Sequence, residues 1–278
     1  MKSKKVNILI TGGTGFLGSQ IAKQLLNQNF KSITILCRKK PKYYWSQKSL
    51  KFKYSKDLFN ESYFSLKKKL KNVDILIHAA WYVDPKDYLV SEKNFECLTG
   101  TINLAKAAAE CGVKKFIGIG TSFEYDTNDK YLSINTKLSP KVLYSACKAS
   151  VYLILSKFFK STKTKFKWCR VFYLYGENEK PERLYPLIVN KLKKNEEINL
   201  GEGKQIRDYM NVKDAAKMII RFSMNNKEGP KNICTGIPIS IKKFAINIAK
   251  KQKKQNLLFF KKQKIKRSFD PDFIVGVK

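Results

Sequence analysis

An apolar run, Val6 to Ile10, leads directly into Gly12-Gly13-Thr14-Gly15-Phe16-Leu17-Gly18. A strand that delivers the chain into G-x-x-G-x-x-G lets the backbone turn tightly and approach the pyrophosphate of a dinucleotide. The phosphate charge then rests on a helix N-terminus. Side chains at these glycines would collide with the phosphates or with the strand. About 130 residues later, Tyr144-Ser145-Ala146-Cys147-Lys148 falls in a segment with helical periodicity. Residues four apart share a helix face, so the Lys148 ammonium can lie beside the Tyr144 phenol. Each string alone arises by chance; in this order and at this spacing they point to one apparatus.

The first half of the chain alternates strand-like and helix-like segments, which predicts a parallel sheet with helices on both faces. Val6–Ile10 reads as the first strand, Phe16 to Asn29 as the helix after it, and Ser32–Cys37 as the second strand. Lys40–Tyr54 shows no period and reads as an irregular excursion. Val73–His78, Phe116–Ile119 and Phe166–Tyr173 read as further strands, and Pro85–Cys111 as a helix stopped by Gly112. Leu143–Phe159 is the helix that carries Tyr144. Beyond Gly176 the elements shorten, which predicts a smaller lobe over the carboxyl ends of the sheet. Asp214–Met224 and Asn232–Cys234 read as a helix and a strand returning to the larger unit. The expected division is therefore a dinucleotide-binding unit, 1–176 with 211–238, and a substrate-binding cap, 177–210 with 239–278.

The glycine loop and the Tyr-Lys pair resemble the extended short-chain dehydrogenase/reductases, the NAD-dependent epimerase/dehydratase family. Asp57-Leu58, His78-Ala79-Ala80, Gly120-Thr121-Ser122, Arg170 to Gly176 and Arg207-Asp208-Tyr209 continue the resemblance in order along nearly the whole chain. It implies an α/β, Rossmann-like doubly wound parallel sheet with a small C-terminal cap. It also implies an NAD(P)-dependent oxidoreductase acting on a nucleoside-diphosphate sugar. The favoured reaction is reduction of a 4-keto-6-deoxyhexose at C4, or its reverse, in deoxysugar or polysaccharide biosynthesis. The alternative is an NAD-dependent 4-epimerase. A distant alternative is a non-catalytic member that binds nucleic acid or protein.

Residue roles follow from the same resemblance. Tyr144 is the expected acid/base, because a nearby ammonium and a nicotinamide ring favour its phenolate. Lys148 supplies the ammonium and holds the nicotinamide ribose. Thr121 is the expected hydroxyl that orients the reacting oxygen, with Ser122 the fallback in the string Thr121-Ser122-Phe123-Glu124-Tyr125. The family's 4,6-dehydratases place Asp-Glu directly after this Thr, whereas this chain has Ser122-Phe123, which argues against dehydration. Gly12, Gly15, Phe16, Leu17 and Gly18 are expected on the cofactor, with Asp57 and Leu58 at the adenine, Ala79 and Ala80 along its path, and Phe172 nearby. The second strand ends in Cys37-Arg38-Lys39 instead of an acid. Arg38 suits a 2′-phosphate, so NADP is preferred over NAD. Trp81, Tyr82, Ser122, Tyr173 and Arg207 are the expected substrate contacts, with Arg207 on the diphosphate. Tyr173 stands where many relatives carry Asn.

Composition narrows the alternatives. The 278 residues carry a formal charge of +34, yet only six of the 56 basic residues are Arg. Arg is the usual reader of bases and phosphates, so the Lys surplus reads as a solvated surface and no nucleic-acid partner is expected. Lys67-Lys68-Lys69 and Lys261 to Arg267 are the densest clusters. There is no apolar stretch of about 18 residues, so no membrane insertion is expected. With no apolar signal core at the N-terminus and no C-x-x-C pair among six cysteines, a cytoplasmic protein with reduced thiols is expected. A single histidine, His78, excludes a His-based triad or a multi-histidine zinc site. The resemblance also implies a homodimer through a four-helix contact.

Overall fold

The computed structural model describes residues 4–28, 30–39, 49–261 and 271–278. Its strands are β1 (Lys4–Thr11), β2 (Phe30–Cys37), β3 (Leu50–Tyr54), β4 (Ile75–His78), β5 (Lys115–Thr121), β6 (Tyr131–Leu132), β7 (Lys165–Val171), β8 (Tyr173–Tyr175), β9 (Ile198–Leu200), β10 (Ile206–Arg207), β11 (Tyr209–Asn211), β12 (Gly229–Ile233), β13 (Ile239–Ser240), β14 (Leu258–Phe260) and β15 (Phe273–Gly276). The helices are α1 (Phe16–Leu26), α2 (Tyr63–Leu70), α3 (Lys93–Glu110), α4 (Leu143–Phe158), α5 (Leu184–Lys193), α6 (Val212–Met224) and α7 (Ile241–Lys251).

Seven strands form one all-parallel sheet in the order β3-β2-β1-β4-β5-β7-β12. Alternate residues of each strand enter opposite cores, as a period of two requires. Ile8 and Ile10 of β1 join Ile75, Ile77, Ile117 and Ile119 under α1 and α6. Leu9, Leu76 and Phe116 face the other way, onto α2, α3 and α4. The sheet is therefore doubly wound. The functional loops leave it at the carboxyl ends of β1, β4 and β5, where such sheets bind their ligands.

Several expected boundaries change. The excursion over 40–54 ends in β3, an edge strand paired to β2; positions 40–48 lie outside the described residues. The segment expected as one helix from Pro85 is turns until Lys93. There the Asn94 amide donates to the Tyr88 and Ser91 carbonyls, both at 2.8 Å, and ties the turns to α3. The strand expected over Phe166–Tyr173 breaks at Phe172, because Tyr173 leaves β7 to pair with Tyr209 of β11. Of the basic C-terminal cluster only Lys261 is described. Further on, β15 inserts beside β10 and β6 in a separate four-stranded sheet, β13-β10-β15-β6. A third core gathers α5, α7, β9 and β14 around Ile188, Leu192, Ile198, Phe244 and Ile248.

Part of the lysine surplus closes helix ends. Lys167 donates to the Phe222 carbonyl at 2.7 Å, and Lys115 to the Met224 and Asn225 carbonyls at 3.0 and 2.8 Å, so two ammoniums cap α6. Lys254 does the same for α5 through the Leu192 carbonyl, at 2.6 Å. Cations suit the negative end of a helix dipole and its orphaned carbonyls. No described helix is long and apolar enough to cross a membrane. All six cysteines are free, and all but Cys111 are buried.

Candidate active site

The glycine loop turns at Gly12, whose φ of +67° only glycine adopts without strain. A Cβ on Gly12 would stand 2.6 Å from the Ala80 nitrogen, and one on Gly18 would stand 2.1 Å from the Gly12 carbonyl oxygen. These two glycines are required by the protein's own backbone, before any phosphate arrives. Gly15 differs: it is exposed and heads α1 with no side-chain cap. That leaves a bare helix N-terminus facing outward from the loop, a cradle that a Cβ would partly fill. These features fit a dinucleotide pyrophosphate. Phe16 and Leu17 open α1 directly after Gly15.

Contacts run from this loop to the Tyr-Lys pair. Gly12 abuts the backbone of Ala79 and Ala80, and the Ala80 amide donates to the Thr11 hydroxyl at 3.3 Å. The next residue, Trp81, donates its indole N–H to Asn94 at 2.8 Å and lies under Lys148, whose Nζ is 3.7 Å from the ring centroid. The Trp81 and Tyr144 rings meet edge-on at 6.5 Å, and Tyr88 closes on Tyr144 at 5.1 Å. The Lys148 ammonium also donates to the Ile119 carbonyl at 2.7 Å. Thr121, two residues along β5, brings its hydroxyl toward the Tyr144 phenol and favours its ionised form. Thr121, Tyr144 and Lys148 are thereby brought together at one strand end, all three buried.

Burial dominates the electrostatics. It raises the Tyr144 phenol above its ordinary value, helped by Tyr88 and Glu124; the Thr121 hydroxyl and Arg183 pull the other way. Burial also pushes Lys148 down to about 7, against Cys97 and Glu124. The expected lowering of Tyr144 by its lysine is therefore absent from the protein alone, where burial of the phenol dominates. His78 is pushed down to about 3 by burial and by Lys148. Its Nδ1 lies 2.7 Å from the Thr11 hydroxyl and its Nε2 lies 2.9 Å from the Thr101 hydroxyl. Thr101 gives its own proton to the Cys97 carbonyl at 2.6 Å. His78 Nε2 is accordingly the donor and Nδ1 the acceptor.

The other expected residues divide. Asp57 accepts from the Phe59 amide at 3.1 Å and from the Asn60 amide group at 2.8 Å. Its carboxyl is held below the usual value first by Asn60, and the nearby Arg38 guanidinium adds to this. Leu58 packs on the α2–α4 core. Tyr82 turns its hydroxyl to Asp87 at 2.7 Å. Ser122 is buried beside Thr121, and Phe172 is buried against Cys234 and Ile274. Arg207 is buried, not on the surface, with its guanidinium 5.1 Å from the Tyr173 ring centroid.

Two residues had no role in the sequence reading. Asp208 is fully buried and accepts from Thr235, Gly236 and Gly276 amides at 2.8, 2.8 and 3.2 Å, pinning β15 and the loop after β12 to the turn between β10 and β11. Glu124 is fully buried and paired with Arg170 at 2.7 Å. The available signal was Gly118-x-Gly120 on β5, since Cβ atoms there would strike Trp168 at 2.3 and 2.2 Å.

Comparison with known proteins agrees with this geometry. The model of the NAD dependent epimerase/dehydratase family matches residues 8–236. The dTDP-6-deoxy-L-talose 4-dehydrogenase (NAD(+)) of Aggregatibacter actinomycetemcomitans is 26% identical over 252 residues, 85% of this chain and 87% of that protein. The dTDP-D-glucose 4,6-dehydratase of Dictyostelium discoideum is 31% identical over 231 residues, 74% of this chain and 53% of that protein. The fold superposes on UDP-N-acetylglucosamine 4-epimerase from Methanobrevibacter ruminantium M1, solved in complex with UDP-N-acetylmuramic acid. The TM-score is 0.86 at 23% identity, covering 99% of this chain and 90% of that one. A continuous match across the glycine loop, the Tyr-Lys helix and the strands between them makes this chain a member of the NAD dependent epimerase/dehydratase family.

Proposed function

We propose that this protein is an NAD(P)-dependent oxidoreductase acting at C4 of a nucleoside-diphosphate sugar, with reduction of a 4-keto-6-deoxyhexose, or its reverse, as the reaction. The observation that carries this reading is the meeting of Thr121, Tyr144 and Lys148 at the end of β5, joined to the glycine loop through Trp81 and Ala80. A bound nicotinamide supplies or accepts the hydride. Tyr144 gives or takes the proton on the sugar oxygen, Thr121 orients that oxygen, and Lys148 holds the ribose. A phenol kept protonated by burial suits the reductive direction, in which it must donate.

A relative aligned over 87% of its own length is a 4-dehydrogenase of a 6-deoxy sugar, which supports the same carbon and substrate class. Dehydration fits less well. The one acid in the turn after Thr121 is Glu124, and its carboxylate is buried and engaged by Arg170. For the cofactor, Arg38 and Lys39 are both exposed where β2 ends and favour NADP(H), whereas the 4-dehydrogenase relative is named for NAD(+). Segment 177–210 and the described parts of 239–278 would form the cap over the sugar, with Trp81, Tyr82, Ser122, Tyr173 and Arg207 its contacts. Exposed Phe95 on α3 and Leu153 and Ile154 on α4 suit a homodimer through those helices.

The test is turnover of dTDP-4-keto-6-deoxyglucose with NADPH and with NADH. Tyr144→Phe is expected to lower kcat by roughly 100- to 10,000-fold while leaving cofactor affinity near that of the parent, since only proton transfer is removed. Equal loss of cofactor affinity would make the tyrosine structural. Tightly retained NAD with no net consumption of added cofactor would replace the reductase by a 4-epimerase.

A further inference from the structure

Glu124 sits inside the protein directly behind the reacting groups. The 3-10 turn Ser122–Glu124 folds back so that the Thr121 amide donates to Glu124 Oε1 at 2.7 Å. The Thr121 hydroxyl in turn accepts from the Phe123 amide at 3.3 Å. Trp168 Nε1 lies 3.0 Å from both carboxylate oxygens, and Arg170 Nε donates to Oε2 at 2.7 Å. Burial raises the Glu124 carboxyl above its ordinary value, while Arg170, the Thr121 amide and Trp168 pull it back down; every polar neighbour within reach donates, so a proton on this carboxyl would have no acceptor and these partners favour the ionised form.

The surroundings are shaped around that carboxylate. Gly118 and Gly120 clear a slot under β5; a Cβ on Gly120 would lie 2.2 Å from Trp168 Nε1 and 2.3 Å from Glu124 Oε1. Arg170 is held between the Tyr125 and Tyr152 rings, with its carbon 4.7 and 4.4 Å from their centroids. Its Nη1 donates to the Tyr125 hydroxyl at 3.1 Å, and that hydroxyl donates to Asn232 at 2.6 Å. Asn232 then donates to the Leu132 and Val277 carbonyls at 2.8 and 3.0 Å. The network thus runs from the C-terminal segment to one backbone amide, that of Thr121.

A buried ion pair is a poor source of stability, and hydrophobic residues of similar volume often replace one at no loss. Its presence here asks for a role in the geometry at that amide. The strand end it locks presents both the Ile119 carbonyl, which accepts from Lys148, and the Thr121 hydroxyl, which meets Tyr144. We propose that Glu124 is a positioning residue: with Arg170 it fixes the end of β5 so that Thr121, Tyr144 and Lys148 keep their reacting geometry, and it places a fixed negative charge behind them.

That charge acts on Lys148 together with Cys97 on α3 and His78 at the end of β4; on Tyr144 it acts together with Tyr88 and Arg183. Glu124 raises Lys148. Removing its charge must lower the lysine further, whereas a site merely loosened and wetted would let the lysine rise toward its ordinary value. The two roles therefore differ in sign.

The experiment is a 13Cε NMR titration of lysine-labelled full-length protein, with the Lys148 resonance identified by its loss in Lys148→Met. In Glu124→Gln the midpoint is expected to fall below the parent's. An unchanged or raised midpoint in the folded variant overturns the proposal. As a second variant, Glu124→Met/Arg170→Met removes the pair without leaving a charge unpaired. With dTDP-4-keto-6-deoxyglucose its kcat is expected to drop roughly ten- to a hundredfold; parental kcat would overturn the proposal. This second arm rests on the nucleotide-sugar reading. If the parent protein turns over no keto-sugar, that reading fails, and the Lys148 midpoint alone decides the role of Glu124.

Discussion

The Lys148 ammonium rests 3.7 Å above the centroid of the Trp81 ring. The indole face and the Ile119 carbonyl, 2.7 Å away, are what this ammonium has in place of water. The pairing is weaker than hydration, so burial pushes Lys148 down to about 7. The sign of the consequence for stability is fixed by linkage. An unfolded lysine holds its proton to about pH 10.4, so between pH 7 and that value the unfolded chain binds the extra proton and stability rises with pH.

Lys148→Met removes this proton binding. Relative to the parent, the variant is expected to be most favoured at and below pH 7. It should lose that advantage by at most about 1.4 kcal/mol per pH unit up to about pH 10.4. Urea unfolding of both proteins at a series of pH values reads the difference directly. Parallel stability curves would mean that Lys148 is solvated and fully charged throughout.

His78 obeys the same logic at lower pH. It is buried and neutral between Thr11 and Thr101, with burial and Lys148 pushing it down to about 3. An unfolded histidine takes up its proton near pH 6.5. Stability should therefore fall as pH drops from about 6.5, by up to about 1.4 kcal/mol per pH unit. His78 is the only histidine in the chain; Glu179, pushed up to about 7 by burial, titrates in the same window with the opposite sign, so the His78 contribution is read as the difference between parent and variant. His78→Gln is expected to flatten this limb of the thermal-stability profile. An equal slope in both proteins would place the acid sensitivity elsewhere.

What could be read along the chain was whatever local spacing determines. β1, the glycine loop and α4 follow from a few consecutive residues each, and their order fixes a parallel sheet. The start of α3 was misplaced because Glu92, its N-cap, carries no capping bond, while the tie that sets the boundary comes from Asn94 inside the helix. β3 was missed because an edge strand with alternating lysines, Leu50-Lys51-Phe52-Lys53-Tyr54, looks polar. Glu124 could not be assigned, since its partner Arg170 is 46 residues away. The direction of the Tyr144 shift was also out of reach: motif spacing puts an ammonium nearby, but only the fold decides how deeply the phenol is buried. Sequence patterns named the candidate groups, and burial dominates their protonation.

The glycine loop offers a separation of structural from binding roles. Gly18→Ala would put a methyl 2.1 Å from the Gly12 carbonyl oxygen, where both partners are backbone and neither can move alone. The expected result is loss of about 1–3 kcal/mol of stability or failure to fold. Gly15→Ala meets only the Gly12 carbonyl oxygen, at 3.2 Å, and its φ of −83° suits any residue. Its stability cost should stay below about 1 kcal/mol, since glycine at a helix N-cap is only modestly better than alanine. Yet its methyl stands at the exposed mouth of the α1 N-terminus, where a pyrophosphate must approach the bare amides. Calorimetric titration with NADP+ and with NAD+ should therefore show clearly weakened binding in a variant that unfolds only a few degrees early. Parental affinity in Gly15→Ala would move the dinucleotide away from this loop, and with it the position of the ring that Tyr144 and Lys148 are expected to serve.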